Sequence, residues 1–140
     1  MCRLDILLVE DNPGDVRLTR EAFRDGRIDN EMIVVGDGEA ALTLLRIRVA
    51  NGQAMPGLIL LDLNLPGKDG REVLAEIKGD ETLRRIPVIV LSSSAAERDI
   101  LESYDKHVNA YITKPIDIDE FIAAMRALEG FWFRVVTLPV

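Results

Sequence analysis

Five polar side chains of this chain stand directly after short apolar runs, and their types suit chemistry at phosphorus. The carboxylates Glu10 and Asp11 follow the first run, Asp62 follows the third, Ser92 the fourth and Lys114 the fifth. Carboxylates bind hard divalent cations, a lysine offsets negative charge, and a hydroxyl can donate a hydrogen bond to an anion. Gathered in one pocket, these groups would bind a cation and a phosphoryl group together.

The apolar runs that precede these residues have the length of β-strands. Near-continuous apolar runs of four to six residues are typical of strands buried on both faces, as in a parallel sheet. Stretches with helical spacing separate them, which predicts an α/β domain with a doubly wound, five-stranded parallel sheet. The predicted strands are Leu4–Val9, Met32–Val35, Leu58–Leu61, Val88–Leu91 and Ala110–Thr113.

Helix starts are marked by a short polar side chain with a carboxylate three residues further on, the pattern of a capping box. The pairs are Asn12/Asp15, Asp69/Glu72, Ser94/Glu97 and Asp117/Glu120. Pro13 follows the first cap at the first helical position, where its missing N–H is tolerated. The second helix is predicted to end before a long surface connection that runs from Arg46 to Gly57.

In a doubly wound sheet, ligands bind at the carboxyl ends of the strands, so all five polar side chains should converge on one edge. Two carboxylates ~4 Å apart repel by about 4 kcal/mol at an effective dielectric constant near 20. A cation must therefore share the pocket, and a small set of oxygen ligands favours Mg²⁺, for which Mn²⁺ can substitute.

A carboxylate that a metal holds ionised can act as the nucleophile on a phosphoryl donor. Asp62 is best placed for this role because it follows Leu58–Leu61, the most apolar run, and should lie in the rigid centre of the sheet. Lys114 would then offset the charge of the phosphoryl group, and the Ser92 hydroxyl would donate a hydrogen bond to it.

Composition narrows the possible settings and partners of the protein. A chain of 140 residues with one cysteine, Cys2, should fold as a single domain without a disulfide, in a reducing compartment. The net charge of −7 disfavours binding to nucleic acids and to anionic membrane surfaces. No apolar run of ~20 residues and no signal peptide is present, which predicts a cytoplasmic protein.

The motifs together resemble the receiver domain of two-component response regulators over residues 4–130. They are Val9-Glu10-Asp11-Asn12, Leu61-Asp62-Leu63-Asn64-Leu65-Pro66, Asp69-Gly70, Leu91-Ser92 and Lys114-Pro115. The resemblance implies a flavodoxin-like fold with strand order 2-1-3-4-5. It also implies that Asp62 accepts a phosphoryl group from a histidine kinase, so that the protein catalyses only its own phosphorylation and dephosphorylation.

The same resemblance assigns the ligands of the metal. It implies that Mg²⁺ is held by the carboxylates of Glu10, Asp11 and Asp62 and by the backbone carbonyl of Asn64.

The resemblance also implies a switch. Ser92 would move toward the phosphoryl group while Tyr111 turns inward, which alters the face formed by the fourth and fifth predicted helices and the fifth strand. The bond between Lys114 and Pro115 is cis in many members of the family.

The last ten residues, 131–140, form an apolar tail beyond the receiver domain of residues 1–130. Left in water, such a tail would be a large apolar patch, so we expect a dimer contact, with folding back onto its own domain as the alternative. The expected contact residues are Phe131, Trp132, Phe133 and Leu138. With the stretch from His107 to Tyr111 and the loop near Asn51, the tail resembles small response regulators that pair with bacterial phytochrome kinases.

Three other functions remain open at this stage. The chain could drain phosphate from a kinase as a sink, since a sink and a messenger need the same site. It could be a degenerate interaction module, although all five site residues are intact. A Mg²⁺-dependent phosphohydrolase is disfavoured, because the second acid it would need two residues after Asp62 is replaced by Asn64.

Overall fold

The computed structural model describes residues 5–26, 30–93 and 110–127, without the side chains of 110 and 124–127. Strands and helices alternate along these residues. The strands are β1 Ile6–Val9, β2 Met32–Val35, β3 Leu58–Asp62, β4 Val88–Ser92 and β5 Ala110–Thr113. The helices are α1 Pro13–Asp25, α2 Gly38–Ala50, α3 Gly70–Gly79 and α4 Ile118–Ala127, with a 3-10 turn at Leu83–Arg85.

The five strands form one parallel sheet in the order β2-β1-β3-β4-β5. This confirms the predicted α/β class and strand order. The strands β1 and β3 are neighbours, with Val9 opposite Leu61, and Asp62 at the end of β3 lies opposite Leu91 of β4. The strand that carries Asp62 is therefore the central one, and its carboxyl end lies level with those of its neighbours.

Both faces of the sheet are buried, because alternate residues of each strand point to opposite layers. Leu7, Ile59 and Val88 belong to the layer covered by α2 and α3. The strand residues that alternate with these point to the other face of the sheet and pack toward α1 and α4. There the ring centroids of Phe23 and Phe121 lie 4.7 Å apart. The sheet is thus clamped between two apolar layers, which explains the near-continuous apolar runs.

The start of α1 departs from the predicted capping box. Asn12 caps the helix as expected, since its Oδ1 accepts hydrogen bonds from the N–H groups of Gly14 and Asp15. The reciprocal bond that a capping box predicts, from the Asn12 N–H to the Asp15 carboxylate, is not formed, so this part of the prediction is wrong. That N–H donates instead to Glu10 Oε1 at 3.2 Å, and the Asp15 carboxylate accepts a hydrogen bond from Lys114 Nζ.

The helix α2 is longer than predicted, since it continues to Ala50 and Asn51 is its C-cap. The connection expected to begin at Arg46 therefore begins five residues later. Ile47 and Val49 are 51% and 42% exposed, so this last part of the helix does not show the apolar spacing that marks a core-facing helix.

Several predictions concern residues outside the described ranges. These are the helix start at Ser94 and the tail contacts Phe131, Trp132, Phe133 and Leu138. None of the helices in the described part of the chain is long and apolar enough to cross a membrane.

Gly70 lets α3 begin directly against the backbone that carries Asp62. A Cβ atom at Gly70 would lie 2.4 Å from the Asp62 carbonyl oxygen and 2.7 Å from Leu63 Cα. Both are main-chain atoms of the central strand or the residue after it, so they cannot move aside cheaply. The absence of a side chain at Gly70 is what allows this close approach.

We expect Gly70→Ala to lower the free energy of unfolding by about 1–3 kcal/mol, because the added methyl group overpacks against main-chain atoms. Urea unfolding monitored by circular dichroism would measure the change. Gly79→Ala, at the other end of α3, is the matched control, since nothing lies within 4 Å of its added Cβ. The control should be neutral or more stable by up to about 1 kcal/mol, and equal losses in both variants would contradict the explanation.

Candidate functional site

Three carboxylates meet at the carboxyl edge of the sheet. Glu10 is the residue after β1, and Asp62 ends the neighbouring strand β3, so the register of the two strands places them side by side. One carboxylate oxygen from each of Glu10, Asp11 and Asp62 lies within 4.8 Å of the others. Glu10 is 3% exposed and Asp62 1%, whereas Asp11 faces solvent. The cluster is therefore buried on one side and open on the other.

Lys114 enters this cluster from the loop after β5. Its Nζ lies 2.7 Å from Glu10 Oε2, 3.1 Å from Asp62 Oδ2 and 3.1 Å from Asp15 Oδ2. The peptide bond between Lys114 and Pro115 is cis, as the resemblance implied. The contact with Asp15 was missed from the sequence, where Asp15 had the pattern of a helix-capping residue.

Burial and charge shift the ionisation of Glu10 and Lys114. Burial raises the pKa of Glu10 to about 7, and the negative charge of Asp62 adds to the rise, while Lys114 and the Asn12 N–H oppose it. Burial would lower the pKa of Lys114, but its bonds to Glu10 and Asp15 and the charge of Asp62 outweigh burial and raise that pKa. The lysine therefore stays charged at neutral pH, and Glu10 is poised to gain or lose a proton.

The donor atoms of the cluster fit a hard divalent cation. Glu10 Oε2 is buried and forms an ion pair with Lys114, but among the described residues no group donates a hydrogen bond of acceptable geometry to it. The other oxygens are oriented by backbone groups, since Glu10 Oε1 accepts from the Asn12 N–H and Asp62 Oδ1 from the Asn64 N–H. A set of carboxylate oxygens, one of which lacks a hydrogen bond, with an open side at Asp11 fits an ion of this type.

The remaining predicted residues lie around this cluster in different ways. Ser92 is 1% exposed and ends β4, one residue beyond Leu91, the strand partner of Asp62. Asn64 is exposed, and its side-chain amide donates to Ser93 Oγ at 3.2 Å. Tyr111 is half-buried and packs against the core layer under α2 and α3. The structure thus places Ser92 and Asn64 at the edge that carries Asp62.

The loop between β3 and α3 is tied to two helices by Lys68, which the sequence did not single out. Lys68 Nζ lies 2.9 Å from Glu39 Oε1 on α2 and 2.5 Å from Glu76 Oε2 on α3. Gly67 just before it has a φ of 67°, a conformation that glycine adopts without strain. Exposed ion pairs contribute little individually, but these two span the loop that follows Asp62 and restrict its path.

Comparison with known proteins identifies the class defined by this fold and site. The response regulator receiver domain family matches residues 6–126, and the chain belongs to this family. Its function is phosphorylation-based signalling. Among curated relatives, the response regulator Rcp1 of Synechocystis is 48% identical over 135 residues, which cover 96% of this chain and 92% of Rcp1.

Comparison with solved structures shows which members of the family this chain is similar to. The bacteriophytochrome response regulator AtBRR is 41% identical, with a TM-score of 0.86 over 94% of this chain and 96% of its own. The phosphorylated cyanobacterial phytochrome response regulator RcpA is 50% identical, with a TM-score of 0.73 over 99% and 100%. The Mn²⁺-bound form of Rcp1 is 47% identical, with a TM-score of 0.70 over 98% and 99%. This chain is thus similar to phytochrome response regulators.

The raised pKa of Glu10 predicts a pH dependence of stability in the metal-free protein. The folded state keeps the Glu10 proton up to about pH 7, whereas the unfolded chain releases it near the ordinary glutamate pKa of 4.5. The folded state therefore binds more protons between these values, and stability from this group falls as pH rises through this window. Urea unfolding in a chelator between pH 5 and pH 8 should show this decline, and Glu10→Gln should reduce it.

Added Mg²⁺ provides the control for this prediction, because a cation at the cluster favours ionised Glu10 and should restore stability most at high pH. If wild type and Glu10→Gln declined equally from pH 5 to pH 8, Glu10 would not be the titrating group.

Proposed function

We propose that this chain accepts a phosphoryl group from a histidine kinase on Asp62 and acts as a response regulator through the resulting change. The observation that carries the proposal is the position of Asp62, buried at the end of the central strand, inside a carboxylate cluster and 3.1 Å from the Lys114 ammonium. A buried carboxylate with a neighbouring cation is held in one orientation, which favours its use as a nucleophile.

In the proposed reaction, a carboxylate oxygen of Asp62 attacks phosphorus and forms a new oxygen–phosphorus bond. The bond between phosphorus and the donor breaks, and the donor atom leaves with the electron pair. The Asn64 N–H orients the Asp62 carboxylate, and the Lys114 ammonium offsets charge on the equatorial phosphoryl oxygens. The buried Ser92 hydroxyl at the neighbouring strand end would donate to a phosphoryl oxygen once it is present.

The proposed metal is Mg²⁺, held by Glu10, Asp11, Asp62 and the backbone carbonyl of Asn64. When bound, it supplies charge neutralisation for the carboxylates and the transferring group. Two observations support this proposal. The three carboxylates meet within 4.8 Å, and the relative Rcp1 has a Mn²⁺-bound form.

The proposed partner is a histidine kinase of the phytochrome type, and a cytoplasmic location is proposed with it. The relatives described as phytochrome response regulators support this pairing, since they share 41% and 50% of their residues with this chain over almost its whole length. The net charge of −7 favours protein partners over nucleic acid.

Regulation by phosphorylation is favoured over an interaction-only module and over a phosphohydrolase. The site residues of an interaction-only module need not remain assembled, yet here the carboxylates and Lys114 are in contact. A phosphohydrolase would need an acid at Asn64, which is an amide. We therefore propose that the protein catalyses only its own phosphorylation and dephosphorylation.

Incubation with Mg²⁺ and acetyl phosphate should add one phosphoryl group to the wild type and none to Asp62→Asn, as measured by intact-protein mass. Asp69→Asn is the matched control, because the same chemical change seven residues away leaves an amide oxygen that can still cap α3. It should be phosphorylated like the wild type. A phosphoryl group on Asp62→Asn, or on neither protein, would contradict the assignment of Asp62.

We further propose that residues 131–140 form a dimer contact beyond a receiver domain of residues 1–130. The proposal is supported by the apolar character of the tail, with Phe131, Trp132 and Phe133 in succession.

Trp132→Ala should shift the monomer–dimer equilibrium toward monomer, because the largest aromatic contact is removed. Trp132→Phe, which keeps an aromatic ring, should have a smaller effect. Sedimentation velocity over a range of concentrations would measure both, and an unchanged mass in solution for Trp132→Ala would contradict the dimer contact.

A further inference from the structure

Asp15 contacts the site although it is not part of the carboxylate cluster. It is the third residue of α1, and the Asn12 side chain already caps its backbone N–H. Its carboxylate does not have the capping role that the sequence predicted, because the Asn12 N–H donates to Glu10 Oε1. Instead, Oδ2 accepts a hydrogen bond of 3.1 Å from Lys114 Nζ. The two side chains are 33% and 14% exposed, so solvent screens this pair only in part.

Three carboxylates surround the Lys114 ammonium at ion-pair distance. They belong to Glu10, Asp15 and Asp62, and an ammonium group has three N–H donors. Glu10 and Asp62 also belong to the cluster that fits a divalent cation, whereas Asp15 does not. A cation bound there would draw Glu10 and Asp62 toward itself and leave Asp15 as the remaining partner of the lysine.

We propose that Asp15 is a positioning residue that competes with the phosphoryl group for Lys114 and thereby weakens the binding of that group at Asp62. This inference rests on the proposed function, because it assumes that Asp62 is the acceptor. To bond a phosphoryl oxygen, the ammonium must move away from the carboxylates that surround it, and Asp15 is the partner that lies outside the carboxylate cluster.

Electrostatic repulsion between Asp15 and Asp62 disfavours the phosphorylated state, as the competition for Lys114 does. Asp15 Oδ2 and Asp62 Oδ2 are each 3.1 Å from the same nitrogen, so they lie within about 6 Å of each other. Phosphorylation replaces the single charge of Asp62 by about −1.5 to −2. The Asp15 carboxylate therefore repels the modified residue more strongly than the unmodified one, and disfavours the phosphorylated state.

The test measures the affinity of a stable phosphoryl analogue. Beryllium trifluoride binds to a carboxylate as a phosphoryl group would, and isothermal titration calorimetry in the presence of Mg²⁺ gives its dissociation constant. Asp15→Asn keeps the shape of the side chain but removes its charge, and we expect about three- to tenfold tighter binding. Asp15→Glu keeps the charge and should remain near the wild-type value.

A control variant separates this effect from the general effect of removing an acidic residue from the first turn of a helix, where its negative charge stabilises the helix through the helix dipole. Asp119 is an exposed residue in the first turn of α4, and Asp119→Asn makes the same change in charge. It should bind the analogue like the wild type.

Unchanged or weaker binding by Asp15→Asn would overturn the inference alone, and so would equal tightening in Asp119→Asn. A wild-type protein that neither binds the analogue nor gains a phosphoryl group from acetyl phosphate would overturn the proposed function, and the inference with it.

Discussion

Repulsion between Glu10 and Asp62 is the constraint around which the rest of the site is organised. The parallel register of β1 and β3 places both carboxylates at one sheet edge, where burial strengthens their repulsion and weakens their hydration. Lys114 offsets part of this charge, yet the pKa of Glu10 remains raised to about 7. Removing one partner of a buried ion pair, such as that between Lys114 and Glu10, typically costs about 3–5 kcal/mol. The lysine therefore contributes to the stability of the fold as well as to the chemistry.

The sheet holds these charges together because its own core is rigid. Both faces are buried between apolar layers, and β3 lies at the centre with a neighbour on each side. The start of α3 packs on the backbone of Asp62 through Gly70, and Lys68 ties the following loop to α2 and α3. A carboxylate on this support cannot turn away from its neighbours, so a bound cation is the simplest means to relieve the repulsion.

This stored repulsion is a physical basis for a switch. A receiver domain must change its state when a small, highly charged group is added, and Lys114 is the cation that the group would attract. In the resting arrangement that lysine is shared among three carboxylates, one of which, Asp15, belongs to α1. Redistribution of a single ammonium group can therefore connect the chemistry at Asp62 to the position of a neighbouring helix.

The sequence by itself determined the class of fold, the helix caps at Asn12, Asp69 and Asp117, and the position of Asp62 at the end of the central strand. These follow from local rules, because apolar runs, capping residues and the strand-edge rule each act over a few positions. Only the tertiary structure decided that Asp15 pairs with Lys114, 99 residues away, and that Lys68 bridges two helices. Local spacing assigned Asp15 to a helix cap. Long-range ion pairs depend on how loops from distant strands meet in space, which no short pattern in the sequence encodes.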